Sequence, residues 1–553
     1  MSAGQDDNWP RVKGARSGTE TLESMASSND KPIIKKRAVA ATFLFRFNDS
    51  SSSKPGTAEV ALFRRSSKVR TYQHKLAPIS GSVDPDDSNP LATTLREIKE
   101  ETSLELGRDI ELMRKGKPYS FADHDIGREW TVNPFAFRLK SVEEGGRGEP
   151  GITIDWEHDG WEWHDPLNVN DSEEFGGVPR LVDSLRRVWP EIDLGAAAGV
   201  ALTDGLKALQ NDHESGARVL AASAVRILRD VIYKLPPPGQ SDDSAKVIRM
   251  AAWHLCYNGR ESMGAAITSS IVTVLDKIEE VLKKVKTNPE GQKDEVLSEI
   301  DKFLEQRDSA VDRLRGFFVE HIIANTFDNR NPQDTLSVLT MSYSSTISGS
   351  LLAAARSLNV ALDLRILESR PLCEGVTLAS KLLEEATPED NVNVTLYSDA
   401  SAAIAAQGVD AFLLGADRIS AEGDVSNKTG TLPTALSTRY VSPNAKIIVL
   451  SEVEKIAGPG PINEHGVEEN DPAELWRSWN NTVKGASILV QYTGKSHENT
   501  SHSTASVKNI YFEWLPASFV NTYITDEGSW SLKDIRAKSS EIGKQTTRFF
   551  SGL

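Results

Sequence analysis

Arg96-Glu97-Ile98-Lys99-Glu100-Glu101 lies in a segment whose apolar residues recur at helical spacing. At about 100° per residue, Glu97, Glu100 and Glu101 share an arc about 100° wide, while Leu91, Leu95, Ile98 and Thr102 turn to a side where they can pack. Three crowded carboxylates repel one another unless a divalent cation or basic groups offset the charge. Hard cations such as Mg²⁺ take oxygen ligands and serve phosphate chemistry. The helix therefore offers a metal to a phosphorylated molecule. A solvated acidic face is the commoner use of Glu/Lys-rich helices, but the flanks here are specific. Asn89 can cap the helix and Pro90 suits its first position. Before them lies Ile79-Ser80-Gly81-Ser82-Val83-Asp84-Pro85, a turn-rich loop holding a glycine.

Glycine loop, capped helix and Arg-Glu-x-x-Glu-Glu together resemble the Nudix box, Gly-x5-Glu-x7-Arg-Glu-U-x-Glu-Glu-x-Gly-U with U aliphatic. The match runs from Gly81 to Leu104 through Arg96, Glu97, Ile98, Glu100 and Glu101. Asp87 stands for the first family glutamate, one extra residue separates it from Arg96, and Ser103 stands for the last glycine. Ala38–Phe47, Glu59–Arg64 and Trp130–Leu139 read as strands, and Asp155-Trp156-Glu157-His158 leading to Trp161-Glu162-Trp163 as the closing strand. The resemblance covers roughly residues 35–185 and implies a Nudix α/β/α sandwich over 35–190. It implies Mg²⁺ (or Mn²⁺) held by Glu97, Glu100 and Glu101, one of which serves as base. Arg96 would orient a glutamate, and Gly81 would let backbone approach the metal shell. The implied reaction is water attack on the phosphoanhydride of a nucleoside diphosphate-type small molecule. His158 reads as a structural strand histidine, with auxiliary base as its alternative role.

A chain of 553 residues is too long for one ordinary core and suggests about three domains. A net charge of −16 argues against a nucleic-acid backbone as principal ligand. Two cysteines, Cys256 and Cys373, give neither a disulfide framework nor a zinc pattern, and reduced thiols in a cytoplasmic protein are the default. No apolar run approaches the ~20 residues that span a bilayer. The polar residues 1–34 read as a disordered tail.

Leu194–Leu235, Ala245–Lys286 and Lys293–Ile323 show helical periodicity, broken at Pro236-Pro237-Pro238-Gly239 and Asn288-Pro289-Glu290-Gly291. This predicts a helical subdomain over 194–325. From Leu336 short β-rich runs appear at Leu336–Thr340, Leu362–Leu367, Val392–Tyr397, Ala411–Leu414, Lys446–Leu450 and Asn509–Phe512. Most alternate with helix-like stretches such as Ser350–Ser357 and Val376–Glu385, which predicts a Rossmann-like parallel sheet over 326–545. Ligands of such sheets sit at the carboxyl ends of the strands. There the chain carries Ser342-Tyr343-Ser344-Ser345, Glu368-Ser369-Arg370-Pro371, Gly415-Ala416-Asp417-Arg418 and Gly423-Asp424-Val425-Ser426-Asn427-Lys428-Thr429-Gly430-Thr431. Each alone is weak, since such groups also serve as caps and surface pairs. Four polar loops on one sheet edge point to a small anionic ligand.

The order of these motifs, with Tyr511-Phe512-Glu513-Trp514-Leu515-Pro516 and Ile524-Thr525-Asp526-Glu527-Gly528, resembles one superfamily. It holds the regulatory alpha, beta and delta subunits of eukaryotic initiation factor 2B, methylthioribose-1-phosphate isomerase and ribose-1,5-bisphosphate isomerase. The resemblance covers about residues 196–540. Ser215-Gly216-Ala217-Arg218 and Gly259-Arg260-Glu261-Ser262-Met263-Gly264 fall at its two arginine-bearing loops. The resemblance implies ligand contacts from Arg260, Ser342, Arg370, Asp417, Asn427 and Lys428. Ser342 stands where the isomerases have their cysteine, and Ser215 where they have an arginine. A hydroxyl is far less acidic than a thiol of pKa ≈ 8.5, so isomerase activity is not expected. Cys373 and Cys256 read as packed thiols.

The expectation is a cytoplasmic Mg²⁺-dependent Nudix pyrophosphohydrolase joined to an initiation-factor-2B-like domain. That domain would bind a sugar phosphate or nucleotide and form a homodimer; translation-factor subunits are further conceivable partners, and direct nucleic-acid binding is not expected. The rival is a non-catalytic initiation-factor-2B-like assembly protein with a degenerate Nudix domain. A third reading is a sugar-phosphate isomerase built on Asp417.

Overall fold

The computed structural model describes residues 35–47, 58–213, 215–236, 242–284, 288–326, 335–358, 360–462, 468–479, 483–493 and 505–553. The expected tail at 1–34, residues 48–57 after Phe47 and the Pro237-Pro238-Gly239 break lie outside them.

Nearly continuous apolar runs in Lys35–Phe47, Ala58–Arg65 and Arg128–Leu139 bury both faces of a mixed sheet. Strand Lys35–Phe47 runs parallel to Arg128–Leu139, while its pairings with Ala58–Arg65 and Ile79–Ser82 are antiparallel. His158–His164 closes against Ala58–Arg65. Helix Pro90–Thr102 packs Ile98 on one face of the sheet, with Ala61, Phe63 and Phe137. Leu181, Leu185 and Val188 pack on the other face against Phe43, Phe45 and Leu62. This is the expected α/β/α sandwich. Asn89 Oδ1 accepts from the backbone N–H groups of Leu91 and Ala92, each at 3.0 Å, and Pro90 follows. The helix stops at Ser103, which adopts φ 60°. A side chain there is strained, because left-handed backbone favours glycine.

The three long helical runs of the sequence divide further. Helices Glu191–Asn211, Ala217–Lys234, Asp242–Asn258, Gly264–Lys284 and Pro289–Asp308 surround one core that includes Leu206, Leu220, Leu255 and Ile271, while Ala310–Thr326 sends Leu314, Phe318 and Ile322 into the core of the second sheet. The breaks fall at 212–216 and 259–263, at the two segments that the resemblance set in loops. The first helix also crosses the expected boundary at 190–194: Ile192 packs on the sandwich, Leu194 and Leu202 on the helical core. Gly195, at φ 72°, kinks it just after Leu194.

The second sheet has the order Val392–Tyr397, Leu362–Leu367, Leu336–Met341, Ala411–Leu414, Lys446–Leu450, Thr522–Thr525, Gly528–Trp530. It is parallel except for its last hairpin. Chain order reverses between Leu336–Met341 and Ala411–Leu414, so the loops bearing Ser342 and Asp417 flank the topological switch point. The expected strand Asn509–Phe512 is shifted. Phe512–Leu515 instead joins Arg418–Ile419 and Val425–Lys428 in a small antiparallel sheet. Asn427 and Lys428 thus sit on a strand of that small sheet. Among the described residues no helix is long and apolar enough to cross a membrane.

Replacing Ser103 by glycine removes the left-handed strain and is expected to stabilise the chain by about 1 kcal/mol, read as a higher midpoint in urea unfolding.

Candidate functional site

Helix Pro90–Thr102 and the strand Ile79–Ser82 meet at Gly81. A Cβ on Gly81 would lie 1.9 Å from Cδ and Oε1 of Glu97, so only glycine leaves room for that carboxylate. Arg96 Nη1 holds Glu97 Oε1 at 2.7 Å and reaches Glu100 Oε2 at 3.3 Å. Arg96 Nη2 donates to Asp87 Oδ2 at 3.1 Å, and Thr93 Oγ1 donates to the same oxygen at 2.8 Å. Arg96 and Thr93 hold the Asp87 carboxyl down at about 2. Despite the extra loop residue, Asp87 therefore anchors the arginine that orients Glu97.

Glu101 departs from the helical-wheel expectation. Where Glu100 is exposed, Glu101 is 3% exposed and turns inward to His158, whose Nε2 lies 2.5 Å from Glu101 Oε2. The imidazole packs on Phe63, with ring centroids 5.2 Å apart, and its Nδ1 is buried with no hydrogen-bond partner. Burial lowers the His158 pKa. Burial, followed by neighbouring Glu157 and Asp155, pushes the Glu101 carboxyl up to about 8. Burial and Glu101 push Glu97 up to about 7, although Arg96 pulls the other way. Arg65 feels both Glu157 and Glu101. Sequence reasoning missed Glu157, Asp155 and Arg65 as members of this cluster; the Asp-x-Glu-His order before the closing strand was the available signal.

Among the described residues no three His, Cys, Asp or Glu side chains already converge as a metal-binding group. The expected triad divides: Glu97 and Glu100 share Arg96, and Glu101 backs onto His158. The donor chemistry nevertheless fits a hard divalent cation. The available ligands are carboxylate oxygens, and burial, followed by the neighbouring carboxylates, raises the proton affinity of Glu97 and Glu101.

In the second domain, Ser342 follows strand Leu336–Met341 at φ 62°. Its N–H donates to Ser369 Oγ at 2.8 Å and its hydroxyl to Glu374 Oε2 at 3.2 Å. Glu374 Oε1 takes Lys428 Nζ at 3.0 Å, and that ammonium lies 4.5 Å from the Tyr511 ring centroid. Burial pushes the Asp417 carboxyl up, opposed by Lys455 and Lys428, with Glu374 and Arg260 also in its field. Asn427 donates to Thr431 Oγ1 at 3.0 Å, and Thr431 contacts Met341 beside Ser342. Arg260 is buried; its Nη1 donates to the Asp212 carbonyl at 3.0 Å and its Nη2 to Glu468 at 2.9 Å, while its Nε has no partner. Arg370 stands apart, exposed, with Nε 3.4 Å from Glu368. Position next to a strand end did not suffice to aim it inward. Glu374 and Lys455 are members that sequence reasoning did not single out. Burial pushes the Cys256 thiol up to about 12, as suits a packed group.

The profile of the Initiation factor 2 subunit family matches residues 215–531, and that of the NUDIX domain matches residues 36–183. Relatives include methylthioribose-1-phosphate isomerase of Vitis vinifera, 28% identical over 343 residues, covering 59% of this chain and 82% of the relative. The protein of the same name from Nematostella vectensis is 24% identical over 350 residues, covering 61% and 89%. Among solved structures, the translation initiation factor eIF-2B of Pyrococcus horikoshii OT3 aligns with a TM-score of 0.41 at 17% identity, covering 60% of this chain and 98% of that one. The expectation that isomerase activity is absent finds no support in relatives that are themselves named isomerases.

Two outcomes follow from the Nudix geometry. Gly81→Ala displaces Glu97 from Arg96 while leaving the buried core untouched. It is expected to keep the melting temperature within a few degrees and to abolish the Mn²⁺ binding that calorimetry is expected to register for wild type. In chelator, Glu97 and Glu101 favour the folded state only while protonated, because their folded pKa values lie above the unfolded value. The stability they contribute is full below about pH 4.5 and is lost as pH rises through about 7 and 8. Thermal melts of wild type against Glu101→Gln between pH 5.5 and 8.5 should therefore diverge, with wild type losing more as pH rises.

Proposed function

We propose, for a chain that belongs to the Initiation factor 2 subunit family and carries a NUDIX domain ahead of it, a phosphoanhydride hydrolase joined to a phosphate-ligand domain. The observation that carries the first half is the crowded pair Glu97 and Glu101, set against Gly81 and aimed by Arg96. In this reading Glu97, Glu100 and Glu101 hold Mg²⁺ or Mn²⁺, and Gly81 lets the backbone approach. When bound, the cation would neutralise charge developing on phosphoryl oxygens. Arg96 keeps Glu97 oriented, Asp87 keeps Arg96 in place, and His158 fixes the rotamer of Glu101. A water oxygen bonds to one phosphorus of a nucleoside diphosphate-type substrate. The bridging P–O bond breaks with its electron pair leaving on the departing phosphate, and a glutamate of the cluster takes the water proton.

For the second domain we propose a site for a sugar phosphate or nucleotide, made by Arg260, Ser342, Asp417, Asn427 and Lys428, with Arg370 at its rim. The unpartnered buried Nε of Arg260 supports an anion there. The isomerase reading is favoured by one specific finding, the names of the relatives. Against it stands Ser342, whose hydroxyl is engaged by Glu374. Assembly as a homodimer is supported by exposed apolar residues, Leu396 on the outer strand of the parallel sheet and Ile404, Leu436 and Tyr440 on the two adjoining helices Ala402–Ala405 and Thr431–Val441. Free Cys256 and Cys373 suit a reducing cytoplasm.

Mononucleotide or phosphate release from a panel of nucleoside diphosphate derivatives with Mg²⁺ tests the first reading. Glu97→Gln and Glu100→Gln are each expected to lower kcat/KM by about 10²-fold or more. A flat panel with folded protein would leave the assembly role. Turnover of pentose phosphates that disappears in Asp417→Asn would instead establish the isomerase.

A further inference from the structure

The strand Ile110–Lys115 is the outer strand of the sandwich on the side facing the helical domain. Its last residue meets a side chain there. Lys115 N–H donates to Asn258 Oδ1 at 2.6 Å, and Asn258 Nδ2 donates to the Lys115 carbonyl at 2.9 Å. A carboxamide carries the same donor and acceptor as a peptide group, so this two-bond ring copies a rung of a β-ladder. The second amide hydrogen goes to His254 Nδ1 at 3.1 Å. Burial, with Arg114 and Arg187 nearby, holds the His254 pKa well down, which leaves that nitrogen an acceptor. The backbone carbonyl of Asn258 accepts from Gln210 Nε2 at 2.7 Å. Asn258 is 5% exposed, so each of these bonds is shielded from water.

The neighbours of this rung tie the same two bodies. Arg114 is buried, donating to the Val188 carbonyl at 3.1 Å and to Thr203 Oγ1 at 2.8 Å. Lys115 Nζ lies 3.7 Å from Glu261. The seam borders a cleft of about 1510 Å³ whose wall includes Asn89 and Pro90, at the start of the glutamate helix, as well as Asn258 and Gly259. Two residues beyond Asn258 stands Arg260. Only Gly259 separates them, and it packs so tightly that a Cβ would come within 3.1 Å of the Leu255 carbonyl. A shift of Asn258 therefore carries directly into Arg260.

We propose that Asn258 is a positioning residue: by pairing with the backbone of Lys115 it fixes the Arg260 loop to the Nudix sheet, so the amino-terminal domain forms part of the scaffold of the anion site in the second domain. This rests on the reading of Arg260 as a ligand-binding group. Linkage then requires that a ligand drawing on Arg260 also steady the Lys115 rung.

The test uses the full chain, with ribose 5-phosphate as probe, and reads both calorimetric affinity and hydrogen exchange at the Lys115 amide. Asn258→Leu keeps nearly the same side-chain size and removes both bonds of the rung; Asn258→Ala serves if the leucine unfolds the protein. In either variant the Lys115 amide is expected to exchange faster without ligand, and affinity for ribose 5-phosphate to fall about fivefold or more. In wild type the probe should slow exchange at Lys115, an effect that a merely structural contact does not give. Unchanged exchange in a folded variant overturns the rung itself. Unchanged affinity, or binding without any effect at Lys115, overturns the positioning role. If wild type does not bind the probe, or binds it equally well as Arg260→Ala, the ligand reading of the second domain fails, and the positioning role falls with it.

Discussion

A carboxylate withdrawn from water requires a proton, a cation or a hydrogen-bond donor beside it, and that constraint organises both ends of this chain. In the sandwich, Asp87 spends its charge on Arg96, Arg96 spends the rest of its guanidinium on Glu97 and Glu100, and Glu101 is left to His158. Arg96 does not neutralise the whole cluster: the Glu97 and Glu101 carboxyls both stay above the usual carboxylate range, so the helix keeps a high proton affinity where these two buried groups lie together. The same logic recurs across the parallel sheet, where Glu374 bridges Ser342 and Lys428 and the Asp417 carboxyl lies in the field of two lysines.

That bridge also bears on the difference between a serine and a cysteine at position 342. A thiol in such a place is useful for its low pKa, and an adjacent carboxylate would oppose its ionisation. A hydroxyl has no accessible ionisation to oppose, and it gains a good acceptor in Glu374. The serine and the glutamate are therefore consistent with each other locally, and Lys428 balances the charge. A phosphate entering here has to compete with Glu374 for Lys428, whereas the Nε of Arg260 needs no competitor displaced.

Sequence was most informative where the physics is local. The cap at Asn89, the proline after it, the packing of Ile98 and the sheet periodicities depend on residues a few positions apart, and they appear as expected. It was least informative where partners are distant in the chain. Glu101 faces solvent or core according to His158, 57 residues away, and no helical wheel contains that partner. Asn427 and Lys428 were placed on the correct side of the domain but on the wrong kind of element, because pairing with Phe512–Leu515 spans more than eighty residues. The breaks near Ser215 and Gly259 were not read from periodicity, although the resemblance set loops there. Arg370 shows the converse: a motif next to a strand end whose side chain turns to Glu368 and solvent.

The helix Glu191–Asn211 contributes Ile192 to the sandwich core and Leu194 to the helical core, and bends at Gly195 immediately after them. A fusion made this way differs from two modules on a string. No stretch of free chain separates the domains, so neither can diffuse about the other, and tether length and local concentration have no meaning for the pair. Their relative orientation is inherited from one backbone torsion. Motion of one half against the other would have to turn about that glycine and work against the buried contacts of Arg114. Dissection has the same cost, because a cut on either side of Gly195 leaves one fragment with an apolar surface that its own residues do not cover.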